Sequence, residues 1–96
     1  MRVRFLADAL FAPKYPDTLA RLERAGAQVA KLDAGESMGG VLHAKYFVVD
    51  GEELFLGSQN FDHRALEHIQ EMGVRVRSTG AARELEDVFE YDWALA

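Results

Sequence analysis

The run Val41–Val49 constrains this chain most. It is rich in β-branched and aromatic residues, is broken only by His43 and Lys45, and ends on Asp50-Gly51, after which Leu54–Leu56 resumes an apolar stretch. Asp-Gly between two such runs is a strong hairpin signal, because both residues tolerate the positive φ that tight turns need. A hairpin fixes which side chains share a face. Along an extended strand His43 and Lys45 point the same way, about 7 Å apart. A two-residue turn pairs Val49 with Glu52, which sets His43 opposite Ser58 at about 5 Å, with Asn60 one pleat further on the same face. A three-residue loop would flip that parity.

The rest of the chain supplies helices around this hairpin. Arg2–Ala7 alternates charged and apolar residues, the period of a strand. Pro16 and Asp17 suit the first turn of a helix, Leu19 and Leu22 recur at helical spacing, and Gly26 is a natural stop. Gln28–Leu32 reads as a second strand, and a β-α-β unit implies parallel pairing with a right-handed crossover. Asp33–Gly40 reads as a flexible loop, a plain connector in preference to a substrate-admitting rim. Residues 61–68 form a short helix with Asp62 as its cap. Gly73–Arg77 is a last strand, and Ser78 or Thr79 caps a final helix with Leu85, Val88, Phe89 and Trp93 on one face. The expected fold is α/β, a mixed β-sheet of about five or six strands with packed helices, in a single domain over residues 1–96.

Composition narrows the function. With no cysteine, disulfide frameworks and thiolate metal sites are excluded. A formal net charge of −5 argues against a generic nucleic-acid binder, though a local cationic funnel fits within an acidic domain. No apolar run reaches the ~18 residues of a membrane span, and the first residues are interrupted by charge too soon for a signal peptide, so the location stays open between cytoplasm and a membrane surface. A domain this short buries only about 60–65% of its unfolded surface, so docking onto further protein would help it.

A face carrying His43, Lys45, Ser58 and Asn60 joins a reactive imidazole to a compact cation and neutral hydrogen-bond donors. Those are the parts for phosphoryl transfer through a covalent phosphohistidine, and no carboxylate cluster suggests a metal or other cofactor. His63 and His68, five residues apart, do not share a helical face and read as surface residues. Arg64 reads as surface as well.

The series His43-Ala-Lys45, four residues, Asp50, six residues, Gly57-Ser58-Gln59-Asn60 resembles the phospholipase D superfamily motif at every defined position. The match continues through Asn60-Phe61-Asp62-His63-Arg64 and Glu71, in the style of the bacterial cardiolipin synthase-like branch, and Phe89–Trp93 is similar to a family C-terminal helix. One departure is Ile69, where relatives often have Asn. The resemblance implies that His43 is the nucleophile, that Lys45, Ser58 and Asn60 hold phosphoryl oxygens, and that Glu71 orients a histidine, unless it is only a solvated charge. Asp50 and Gly57 are then structural parts of the motif. The substrate is a phosphodiester, of a phospholipid or a nucleic acid, hydrolysed or transferred without metal. The family mechanism uses two histidines, so a second HxK half is expected from homodimerisation or from a longer chain. A complete half usually opens with another strand and helix, which this chain is expected to lack. The competing expectation is a non-catalytic phosphate-binding or oligomerisation module of the same fold.

Overall fold

The computed structural model describes all residues from Met1 to Ala96. It is mixed α/β, as expected, with its strands divided between a parallel pair and an antiparallel triplet instead of running in one continuous sheet. The chain groups into two compact units, Met1–His43 with Tyr91–Ala96, and Ala44–Glu90.

In the first unit, β1 (Arg4–Asp8) and β2 (Gln28–Leu32) pair in parallel from Arg4 with Gln28 to Asp8 with Leu32. The crossover is α1 (Pro16–Arg24), with Pro16 at its start and Asp17 in its first turn. The helix ends where Gly26 takes φ 97°, which lets the Ala27 amide reach back to the Leu22 carbonyl at 3.0 Å and turns the chain into β2. The core is small: Ala12, Leu19, Leu32 and Ala34 are buried, and Leu32 is almost wholly so. Burying one such leucine contributes about 2 kcal/mol. The Arg4 guanidinium lies over the Trp93 ring, 5.4 Å from its centre.

The segment expected to be a loop contains α2 (Ala34–Met38). Asp33 caps it, its Oδ1 accepting from the Glu36 amide at 3.0 Å. Gly39 closes it in the left-handed region at φ 71°, with the Gly39 and Gly40 amides bonded back to the Gly35 and Ala34 carbonyls.

The second unit is a meander of β3 (Tyr46–Val49), β4 (Glu53–Gly57) and β5 (Gly73–Arg77). Between β4 and β5 lies α3 (His63–Glu67), capped as expected by Asp62, whose Oδ1 accepts from the Ala65 amide at 2.9 Å. The last helix, α4 (Thr79–Leu95), starts at Ser78, whose hydroxyl accepts from the Ala81 amide at 3.2 Å. Of the face assigned to it, Leu85, Phe89 and Trp93 are half-buried at i, i+4 and i+8, whereas Val88 is exposed at the edge of that stripe.

The hairpin departs from its expected register. Val49 pairs with Glu53, not Glu52. Asp50 and Gly51 are both left-handed, at φ 55° and 65°, and the Glu52 amide closes the turn on the Val49 carbonyl at 3.1 Å. Glu52 therefore belongs to the loop, and the ladder is displaced by one residue. One face of the meander then carries Phe47 and Phe55, stacked with ring centres 5.3 Å apart, and Glu53 with Arg75 and Arg77. The Phe55 ring lies across Gly57 and Gly73, which oppose each other: a Cβ built on Gly73 would come within 2.5 Å of Phe55 Cζ.

Two outcomes follow from this face. Gly73→Ala overpacks the ring and should cost about 1–3 kcal/mol, lowering the denaturation midpoint. Gly80→Ala, in α4 with its nearest neighbour at 3.9 Å, should raise the midpoint by removing unfolded-state freedom; equal midpoints for the two variants would contradict the packing. Glu53 accepts from Arg77 at 2.7 Å and from Arg75 at 2.9 Å, and these bonds hold its carboxyl below the ordinary 4.5. Its contribution is thus present above the unfolded-state value and is lost as pH falls through the lower folded-state value. Glu53→Gln should flatten the decline in stability below about pH 4.5, measured by denaturant titration at several pH values; an unchanged acid limb would contradict it.

Candidate functional site

The residues of the spaced motif fall on both sides of the unit boundary. His43 is the last residue of the first unit and is exposed. Lys45, Asp50, Gly57, Ser58, Asn60 and Glu71 all lie in the second. His43 and Lys45 precede β3, which starts at Tyr46, so the regular ladder does not decide the face on which His43 stands. Extended by its own register, the ladder brings Lys45 opposite Gly57, and the Gly57 amide donates to the Lys45 carbonyl at 3.0 Å. The register expected for the hairpin is therefore corrected: with a three-residue loop, the ladder continued past its ends sets Ser58 opposite Ala44, and His43 lies outside it.

What the structure brings together is Ser58 and Glu71, thirteen residues apart in sequence. The Ser58 hydroxyl donates to Glu71 Oε2 at 2.5 Å. The Met72 amide donates to the same hydroxyl oxygen at 3.1 Å, and the Ser58 amide donates to the Met72 carbonyl at 2.9 Å. A hydroxyl carries one proton, and here the short, charge-assisted contact to the carboxylate takes it in preference to the Met72 carbonyl at 3.2 Å. The serine is thus fixed at both its donor and acceptor positions, just past the end of β4, while the β4–β5 pairing continues one step beyond Gly57 and Gly73. Glu71 is half-buried, and its observed donor is this serine.

Asp50 stands in the hairpin turn in the left-handed region, the turn position given to it. Asn60 is exposed in the coil between β4 and α3. His63 and His68 meet edge to face, ring centres 5.4 Å apart, at the two ends of the short helix, and His68 lies 3.9 Å from Glu67. No group of three or more His, Asp, Glu or Cys side chains is placed to hold a metal ion. No helix is long and apolar enough to cross a membrane. A surface depression of about 270 Å³ is lined by Asp8, Asp33 and Gly40 among others and by none of the motif residues.

Sequence reasoning passed over Asp8. This carboxylate ends β1 and accepts from three backbone amides, those of Leu10 at 2.8 Å, Phe11 at 3.3 Å and Leu42 at 2.6 Å. An aspartate at a strand end with a turn after it signals the first two bonds. Nothing local signals the third.

Comparison with known proteins places this arrangement. Residues 1–93 match the family profile described as cardiolipin synthase, PLD-like domain. The human protein named 5'-3' exonuclease PLD3 is 36% identical over 96 residues, covering 99% of this chain and 20% of that protein. The virion nicking-joining enzyme of vaccinia virus (strain Western Reserve) is 37% identical over 76 residues, 78% of this chain and 18% of that enzyme. Mouse 5'-3' exonuclease PLD4 is 38% identical over 71 residues, 73% of this chain and 14% of that protein. The chain spans no more than about a fifth of the length of these relatives. A profile match across nearly the whole chain, carrying every defined position of the spaced motif, means that the chain belongs to the phospholipase D-like family.

Proposed function

We propose that this chain contributes one half of a phosphodiesterase site in which His43 attacks phosphorus. The observation that carries the reading is the bond between Ser58 and Glu71: two residues to which the family resemblance points are joined at 2.5 Å. In the first step a neutral imidazole nitrogen of His43 forms a bond to phosphorus as the bond to the leaving oxygen breaks on the opposite side. The leaving alkoxide takes a proton from an acid on that side, and the product is a phosphohistidine. Water or an alcohol then attacks the phosphohistidine, giving up its proton to the same group, and free His43 is restored. Lys45 and Asn60 neutralise and bond the non-bridging oxygens, where charge gathers in the transition state. Ser58 adds a polar contact whose position Glu71 fixes.

The acid must stand across the phosphorus from His43, because displacement is in line. The chain holds a single HxK, so the simplest source is a second such half, from another copy about a two-fold axis or from further along a longer polypeptide. That same single motif favours the second reading, a phosphate-binding module that does no chemistry by itself. The named activities of the relatives put a nucleic-acid strand first among substrates and a phospholipid second.

His43→Ala should abolish turnover on single-stranded DNA and on phospholipid alike while leaving the denaturation midpoint near that of the parent, because the residue is exposed. Turnover retained by that variant would refute the role. In mixtures of parent and His43→Ala chains, activity should fall as mixed dimers form, and light scattering on active fractions should show no monomer; a monomeric preparation with full activity would remove the need for a second half. Chelator should leave the rate unchanged, and strong inhibition reversed by zinc or magnesium would exclude the mechanism.

A further inference from the structure

The residue presenting His43 sits thirty-five positions earlier in the chain. We infer that Asp8 is a positioning residue for His43, holding the backbone one residue before it; the inference rests on the reading of His43 as the nucleophile. Asp8 is itself fixed. It is the last residue of β1, paired with Leu32, and the next amide, that of Ala9, continues the ladder to the Leu32 carbonyl at 2.9 Å. Its two carboxylate oxygens have different duties. Oδ1 accepts from Leu10 and Phe11, which closes the local turn and fixes the orientation of the carboxylate. Oδ2 is thereby aimed at the Leu42 amide, which it meets at 2.6 Å. A bond this short to an ionised acceptor is of the stronger, charge-assisted kind.

The location gives the bond its consequence. The chain leaves α2 through the turn at Gly39 and Gly40 and does not enter β3 until Tyr46. Residues 41–45 are outside regular structure, so their backbone is not set by a helix or by a regular strand. The Leu42 amide is held by Asp8 upstream of His43, and the Lys45 carbonyl is held by Gly57 downstream of it. Releasing the upstream anchor frees the φ and ψ that aim the imidazole. In-line attack tolerates little misplacement: about 1 Å corresponds to roughly a hundredfold in rate. A carboxylate serving only the local turn would have no need of a partner 34 residues away.

Asp8→Ser separates the two duties. Its single hydroxyl oxygen can still accept from the Leu10 and Phe11 amides, as serine does in such turns, and has no second oxygen for Leu42. The inference predicts faster amide hydrogen exchange at Leu42, shifted His43 ring resonances in the NMR spectrum, protection at Leu10 retained, and a midpoint close to that of the parent. In the assembly that carries both halves, kcat should fall by roughly ten- to a hundredfold with KM within about twofold. Asp8→Asn has one acceptor oxygen where the carboxylate has two, so its amide nitrogen meets either the Leu42 amide or the Leu10 and Phe11 amides donor to donor, and it should lose kcat as well. Unchanged Leu42 exchange and unchanged His43 resonances in Asp8→Ser would overturn the inference, as would a loss of kcat accompanied by general unfolding in both variants. Should the parent itself turn over no phosphodiester, the nucleophile reading would fall, while exchange at Leu42 and the His43 resonances would still decide whether Asp8 sets this backbone.

Discussion

Asp50 and Gly51 hold left-handed backbone side by side, and the register of the antiparallel unit hangs on that turn. Because side chains alternate with a period of two, a slip of one residue would exchange every face of β3 against β4. The observed pairing of Val49 with Glu53 stacks Phe47 on Phe55 and sets Gly57 against Gly73, where the Phe55 ring needs room. It also delivers Lys45 to the Gly57 amide and Ser58 to Met72 and Glu71. Aspartate and glycine suit the turn because a positive φ is least costly for them. The motif aspartate thus has a physical reason to sit in the turn: it helps to set the register of β3 against β4.

Charge in this chain acts locally. A net −5 gives no general attraction for a phosphate backbone, so a phosphodiester would be held by a few placed groups. In the proposed site Lys45 would be the cation, with hydrogen bonds from neutral side chains beside it. Within that scheme the acid Glu71 has a use that does not repel substrate, since its oxygen is engaged by the Ser58 hydroxyl at 2.5 Å. With its hydrogen donated to the carboxylate, the serine hydroxyl accepts from the Met72 amide through its oxygen, and the side chain cannot rotate without losing both bonds.

Much of the fold could be read from local pattern. The strands Gln28–Leu32 and Gly73–Arg77 appear with the bounds expected of them, and Pro16 opens α1 as its fixed φ suggests. Asp62 and Ser78 cap the helices expected of them. The misses share a cause. Helix α2 was hidden by its glycines, although Asp33 followed three residues later by Glu36 is a capping pattern and Gly39 a helix stop. The hairpin register escaped because Asp-Gly is compatible with loops of two or three residues, and the choice depends on packing such as Phe55 over Gly73. The spaced motif named Ser58 and Glu71, but their bond to each other is a product of the β4–β5 ladder. Asp8 was invisible because its telling partner, the Leu42 amide, is remote in sequence.

The central claim is that a nitrogen of His43 becomes bonded to phosphorus. An activated diester with nitrophenolate leaving groups tests it most directly, because that anion departs without a proton and so does not depend on the acid from a second half. After rapid denaturing quench at neutral to alkaline pH, where phosphohistidine survives, peptide mass spectrometry should find the phosphoryl adduct on His43 in step with nitrophenolate release. Nitrophenolate released with the adduct on another residue, or with none on His43, would contradict the account.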